Sequence, residues 1–185
     1  MSTTTALPTQ SLTGTWVIDP SHSEAGFTTR HAGIAKVRGS VAITEGTIVV
    51  GEDLTTSSVT AVLDPATIDT RDANRDGHLR SADFFDTESF PTWTFVSTSV
   101  SAKGDDYVVT GDLTIHGVTK TVELDLEFNG TATDPFGNAR AGFSASTEIS
   151  RKDFGLTWNA ALETGGFLVS DNVKVALEIS AIKQA

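Results

Sequence analysis

The chain has 185 residues, of which 38% are apolar and 20% charged, the composition of one ordinary globular domain with a core of its own. Its formal net charge of −11 argues against a nucleic-acid partner, because a binder of phosphate backbones needs a net basic face. Without cysteine there is no disulfide framework, thiolate metal site or cysteine nucleophile, and no run approaches the roughly 20 apolar residues of a membrane span.

Residues 1–13 are rich in Ser, Thr and Pro and lack periodicity, so they are expected to form a flexible tail before a single domain spanning 14–185. The start, MSTTTALPTQSLTG, has no basic n-region and no apolar h-region, so it does not read as a secretory signal and the expected location is cytoplasmic. Residues 16–18 open a short strand that Asp19-Pro20 must end. Residues 22–31 resume it, with Phe27 in the middle. Residues 36–51 read as one long strand bent at Gly39 or Gly46. Residues 57–63 set Val59, Ala61 and Leu63 on one face, and Asp64-Pro65 is expected to close that strand.

The stretch 71–95, RDANRDGHLRSADFFDTESFPTWTF, is the one long interruption in the β-type pattern. Asp72, Asn74, Asp76, Gly77, Leu79 and Asp83 fit a calcium-loop pattern of alternating oxygen ligands, a glycine at the sharp turn and a closing acid. Against it stand the shorter Asp83 as last ligand, Arg80 at position nine, three arginines that offset the needed charge, and no preceding amphipathic helix. A short helical segment near 72–83 with acids and bases on its wet face is the preferred reading. Adjacent aromatics after such a helix, Phe84 and Phe85, are expected to point different ways, one of them covering a pocket.

Strand pattern returns at 92–99, with Trp93 and Phe95 on one face, and after a turn at 103–106 it continues through 107–115. His116-Gly117 turns the chain into 122–128, where Val122, Leu124, Leu126 and Phe128 face one way and Glu123, Asp125 and Glu127 the other. A turn at 134–138, a strand at 141–149, a glycine-punctuated loop at 151–166 and a last strand at 173–179 complete the chain. About eight strands joined mostly by short turns make an all-β, up-and-down antiparallel sheet that can close into a barrel. Such a barrel either fills its interior with side chains or holds one elongated ligand, and periodicity does not choose between them.

Signals for catalysis are sparse. His22, His31, His78 and His116 lack the spacing of a helical metal pair, although His22 and His31 can meet across strands if the barrel closes, which would make them an acid-base pair. The sequence contains no Gly-x-Ser-x-Gly elbow, phosphate-cradling loop or dinucleotide fingerprint. No metal, cofactor or catalytic residue is assigned.

Read together, several strings carry a resemblance. Asp19-Pro20-Ser21-His22-Ser23, Arg30-His31 with Val37-Arg38-Gly39, HLRSADFF ending in Phe90-Pro91, GDLTIHGVTK, and RKDFGLTWN with ETGG and Val173-Lys174-Val175 together resemble the YceI-like polyisoprenoid-binding family over nearly all of residues 14–182. What the resemblance implies is a lipocalin-like, eight-stranded antiparallel β-barrel, often a homodimer, whose apolar cavity holds a long isoprenoid or fatty-chain lipid. The expected role is a non-catalytic carrier for which transient membrane contact is open. On that basis Phe27, Phe84, Phe85, Phe95, Leu113, Phe143, Phe154, Leu156 and Trp158 are the expected lining or cover. His31, Arg38, Arg80 and Asn159 are the expected mouth, with Arg38 and Arg80 able to meet a pyrophosphate or a quinone oxygen.

Overall fold

Alternation at period two turns most of this chain into strand, and the computed structural model, which describes residues 12–185, contains nine. They are β1 (Gly14–Ile18), β2 (Glu24–His31), β3 (Ala35–Val50), β4 (Ser58–Asp69), β5 (Trp93–Lys103), β6 (Asp106–Ile115), β7 (Val118–Thr133), β8 (Ala139–Ser150) and β9 (Asn172–Lys183). One α-helix, α1 (Ala73–Arg80), joins β4 to β5. Most of the expected tail lies outside the described residues, but Leu12 is buried, and its carbonyl accepts the Trp16 indole N–H at 2.8 Å.

Every strand from β2 to β9 pairs antiparallel with the next, and β9 pairs back onto β2, so the sheet closes on itself. The short β1 lies between β3 and β9, the same position that β2 fills further along. Nine strands thus occupy eight places in a closed antiparallel barrel, which removes the exposed edges of an open sheet. The interruption between β1 and β2 is the Asp19-Pro20 break: residues Pro20–His22 form a 3-10 turn, and the Asp19 carboxylate accepts the Ser21 N–H at 3.0 Å. The strand resumes at Glu24, two residues later than its sequence suggests.

The bend expected at Gly39 or Gly46 falls between them, as register shifts against β4 between Ser40 and Ala42 and between Ile43 and Glu45. The expected end of β4 at Asp64-Pro65 is corrected: β4 runs on to Asp69. Pro65 is tolerated there because it sits in the irregular stretch between the Ala42–Asp64 and Ser40–Asp69 pairs, where no ladder donor is required of it. The Ala42 N–H instead meets the Thr67 hydroxyl at 2.9 Å.

Up-and-down topology sorts the connections by end. One end, the crossover end, carries the β2–β3 turn, the 70–92 crossover with α1, the β6–β7 turn and the 151–171 loop. The other, the termini end, carries residues 51–57, the two-residue β5–β6 turn and the β7–β8 turn. Val41, Ile68, Trp93, Ile115, Phe154 and Leu156 pack together toward the first. Leu12, Trp16, Ala141, Phe143 and Ala181 pack toward the second. No helix among the described residues is long and apolar enough to cross a membrane.

Candidate functional site

The barrel is not filled by its own side chains. Between the two packed ends lies a cavity of about 250 Å³, bounded by residues from all eight barrel positions and from the crossover. Period two places them there: Val59, Ala61 and Leu63 of β4, Val122, Leu124 and Leu126 of β7, and Val173, Val175, Leu177 and Ile179 of β9 all face inward. The polar side chains on this wall are Thr29, Thr147 and Arg151, together with the Trp93 indole. A molecule inside would be held by apolar burial along nearly its whole length.

Phe27, Phe84, Phe85, Phe95, Leu113, Phe143, Phe154 and Leu156 all line the cavity. Phe84 and Phe85 are both among them. The chain after α1 follows neither helix nor strand alternation: Phe85 N–H returns to the Leu79 carbonyl at 2.9 Å and Asp86 sits at φ 45°. The two rings reach the cavity from different sides. Phe84 rests on His78 and Trp158, at ring-centre distances of 5.0 and 5.2 Å, while Phe85 meets Trp93 at 4.7 Å. Trp158 itself is not on the wall but stands behind Phe84, with His78 4.7 Å away.

None of the four polar mouth candidates reaches the cavity. His31 is exposed at the end of β2, where its backbone bridges to Val169. Arg38 pairs with Thr28, whose neighbours Phe27 and Thr29 point inward, so Arg38 points outward. Arg80 is the last residue of α1 and half-buried. Asn159 is committed to the backbone: its Oδ1 accepts the Ala160 and Val169 N–H groups at 2.9 and 3.0 Å, and its Nδ2 donates to the Val169 carbonyl at 2.8 Å. It fastens the base of a hairpin in the 151–171 loop.

The charged side chain that does reach the wall is Arg151, which sequence reading passes over although it opens the quoted RKDFGLTWN string. It is 4% exposed. Its guanidinium donates to backbone carbonyls of Ser170 (3.0 Å), Leu156 (2.7 Å), Trp158 (2.8 Å) and Val169 (3.4 Å), and to no carboxylate among the described residues. Burial lowers its pKa, opposed by the nearby charge of Asp171. Trp93 adds a second unusual group, since its buried indole N–H has no hydrogen-bond partner among the described residues.

The two other functional readings meet specific obstacles. His22 precedes β2 and His31 ends it, so about 3.3 Å of rise per residue keeps them roughly 25 Å apart along one strand position. His22 Nδ1 is paired with Asp19 Oδ2 at 2.7 Å. In the calcium pattern, Asp72 caps α1 by accepting the Arg75 N–H at 2.9 Å, buried Asp76 accepts the Thr70 N–H at 2.8 Å, and Asp83 pairs with His78 at 2.9 Å. The three carboxylates do not converge, and no cluster of three or more His, Asp or Glu side chains placed for a metal occurs among the described residues.

Residues 16–181 match the YceI-like domain family. A UPF0312 protein of Staphylococcus aureus is 39% identical over 165 residues, which is 86% of this chain and 92% of that protein. Among solved structures, BcnA of Burkholderia cenocepacia superposes with a TM-score of 0.72 at 23% identity, over 88% of this chain and 98% of its own. A polyisoprenoid binding domain from Saccharophagus degradans gives 0.68 at 17% identity, over 91% and 98%. At these identities the two structures establish the shared barrel architecture.

Proposed function

Because the chain belongs to the YceI-like domain family, we propose that its barrel binds, and sequesters or carries, a long-chain isoprenoid or related lipid such as a polyprenyl phosphate, a quinone or a fatty-chain amphiphile. The observation that carries this reading is the apolar cavity running between the two packed ends of the barrel. The polyisoprenoid-binding name of the Saccharophagus degradans domain, which has the same architecture, supports the class of ligand. Each buried CH₂ gains about 0.8 kcal/mol relative to water, so a hydrocarbon chain needs no specific polar contact to bind. Relative to a bilayer the gain nearly vanishes, which suits a carrier that must both load and unload. Discrimination then rests on cavity length and shape.

Binding without catalysis is the simpler reading, since Arg151 is the one charged side chain on the wall among the described residues and its N–H groups are already directed at carbonyls. Native mass spectrometry of protein expressed in lipid-containing cells, followed by organic extraction, tests the proposal directly. The expected result is a protein mass plus a lipid adduct recovered in the extract. A bare protein mass after such expression would count against the carrier. The same spectrum reads the homodimer that we propose with it. Phe85→Asp should reduce lipid occupancy roughly tenfold or more by placing a carboxylate on the apolar wall, with the far-UV circular dichroism retained. Unchanged occupancy would remove Phe85 from the cover.

A further inference from the structure

The outer face of the barrel at the crossover end carries a patch of cations. Phe27 and Thr29 point into the cavity, so Thr28 and Arg30 point out, and cross-strand partners share a face. Thr28 pairs with Arg38 of β3 and Lys174 of β9, and Arg30 pairs with Lys36. Arg30, Lys36, Arg38 and Lys174 are all exposed on three neighbouring strands, and none is in an ion pair among the described residues. The acids nearest this patch lie at its margin. Asp69 of β4 pairs with Ser40 of β3, and Glu148 faces Lys174 from β8. Glu163 and Asp171 belong to the adjoining loop, where Asp171 is bonded to the Ser150 hydroxyl and the Lys152 N–H. Only Lys103, Arg140 and Lys183 of the chain's 13 lysines and arginines lie toward the termini end, where Glu52, Asp53, Asp105, Asp106, Asp125 and Asp134 outnumber them, so the net negative charge is weighted to that end.

Beside the patch the fold exposes two large apolar side chains. Ile34 closes the β2–β3 turn, in which Ala32 and Gly33 have φ of 52° and 72°, and it is 83% exposed. Phe167, in the 151–171 loop, is 63% exposed. The two loops are laced together by the Ala32 N–H to the Leu168 carbonyl at 2.7 Å and by the His31–Val169 bridge, so both side chains stand on one rim. An apolar tip flanked by cations, on a molecule whose negative charge is weighted to the far end, matches the chemistry of an anionic bilayer surface.

We propose that this rim docks on anionic membranes, with Ile34 and Phe167 entering the headgroup layer and Arg30, Lys36, Arg38 and Lys174 meeting the lipid phosphates. This goes beyond the cavity reading, and the two are separable by measuring extracted lipid and vesicle association on the same samples. The test is flotation of the full chain with vesicles of phosphatidylcholine alone and of phosphatidylcholine mixed with phosphatidylglycerol. Association is expected with the anionic vesicles only, weakening as salt is raised. Lys36→Gln with Arg38→Gln should weaken it about fivefold per cation removed. Ile34→Ser with Phe167→Ser should weaken it roughly tenfold, and because these side chains are exposed the melting temperature should not move. No association with anionic vesicles, equal association with neutral ones, or indifference to both pairs of substitutions would each overturn the proposal. So would a dimer that Phe167→Ser splits while vesicles stay unbound, because a second copy of the chain would then be the occupant of this rim.

Discussion

Position 39 is one where a missing side chain shapes the cavity wall. Gly39 pairs across the sheet with Phe27, and a Cβ built on it would stand 2.4 Å from the Phe27 ring and 2.9 Å from the Thr70 methyl. The ring can lie along the wall only because the facing backbone is bare. Gly39→Ala should therefore cost about 1–3 kcal/mol through overpacking. The contact also predicts coupling: in urea unfolding, adding Phe27→Leu should recover part of the loss, so the two changes together cost less than their sum. Strict additivity would mean that the strain is relieved elsewhere in β3. The glycine was legible in the sequence as a bend, but its partner was not, since only the register of β2 on β3 decides which ring fills the space.

At eight residues α1 is too short to hold itself, so its position depends on what it touches. Asp76 is the anchor. Its carboxylate accepts both the N–H and the hydroxyl of Thr70, and Arg75 donates to the same hydroxyl at 2.7 Å and to the Thr70 carbonyl at 2.6 Å. Removing the carboxylate strands a buried N–H, at a cost of about 1–3 kcal/mol. Asp76→Ala should therefore speed amide hydrogen exchange through residues 70–92 while the amides of β6 to β9 stay protected, because the loss is local to the cover. Acceleration spread evenly over the barrel would contradict that role. This element also marks the limit of sequence reading at the site. Strand parity supported Phe27, Phe95, Leu113 and Phe143 only loosely, and the turn after α1 has no period at all, so the expectation that Phe84 and Phe85 both belong to the lining or cover rested on the resemblance. For the same reason Arg38 and Arg80 were preferred over Arg151, since nothing local distinguishes an arginine on an outer face from one buried against four carbonyls.

The closed barrel was readable because eight alternating segments with short turns have few other ways to hide their edges. Whether closure leaves a filled interior or a cavity was not, because inward valines and leucines look alike in both. What fastens the ring at the termini end was equally hidden, since it joins residues more than a hundred positions apart. Arg140 of β8 donates at 2.8 Å to Asp19, between β1 and β2, at 2.8 Å to Asp134 in the β7–β8 turn, and at 3.2 Å to the Ser180 hydroxyl of β9. Its hydrogen bonds are the largest cause holding both carboxyls well below the usual carboxylate range. In the unfolded chain both should titrate near their ordinary value of about 3.9. As pH falls through about 4, the unfolded state takes up protons that the folded state still refuses, so the clamp's stabilisation is complete above that pH and is lost on the way down to the depressed folded values. Arg140→Met removes the cause of the depression. The variant should be less stable than the parent at pH 7, and urea unfolding between pH 7 and about pH 2 should show the gap narrowing below about pH 4. A gap that stays constant over that range would mean that Arg140 holds the end of the barrel by packing rather than by its charge.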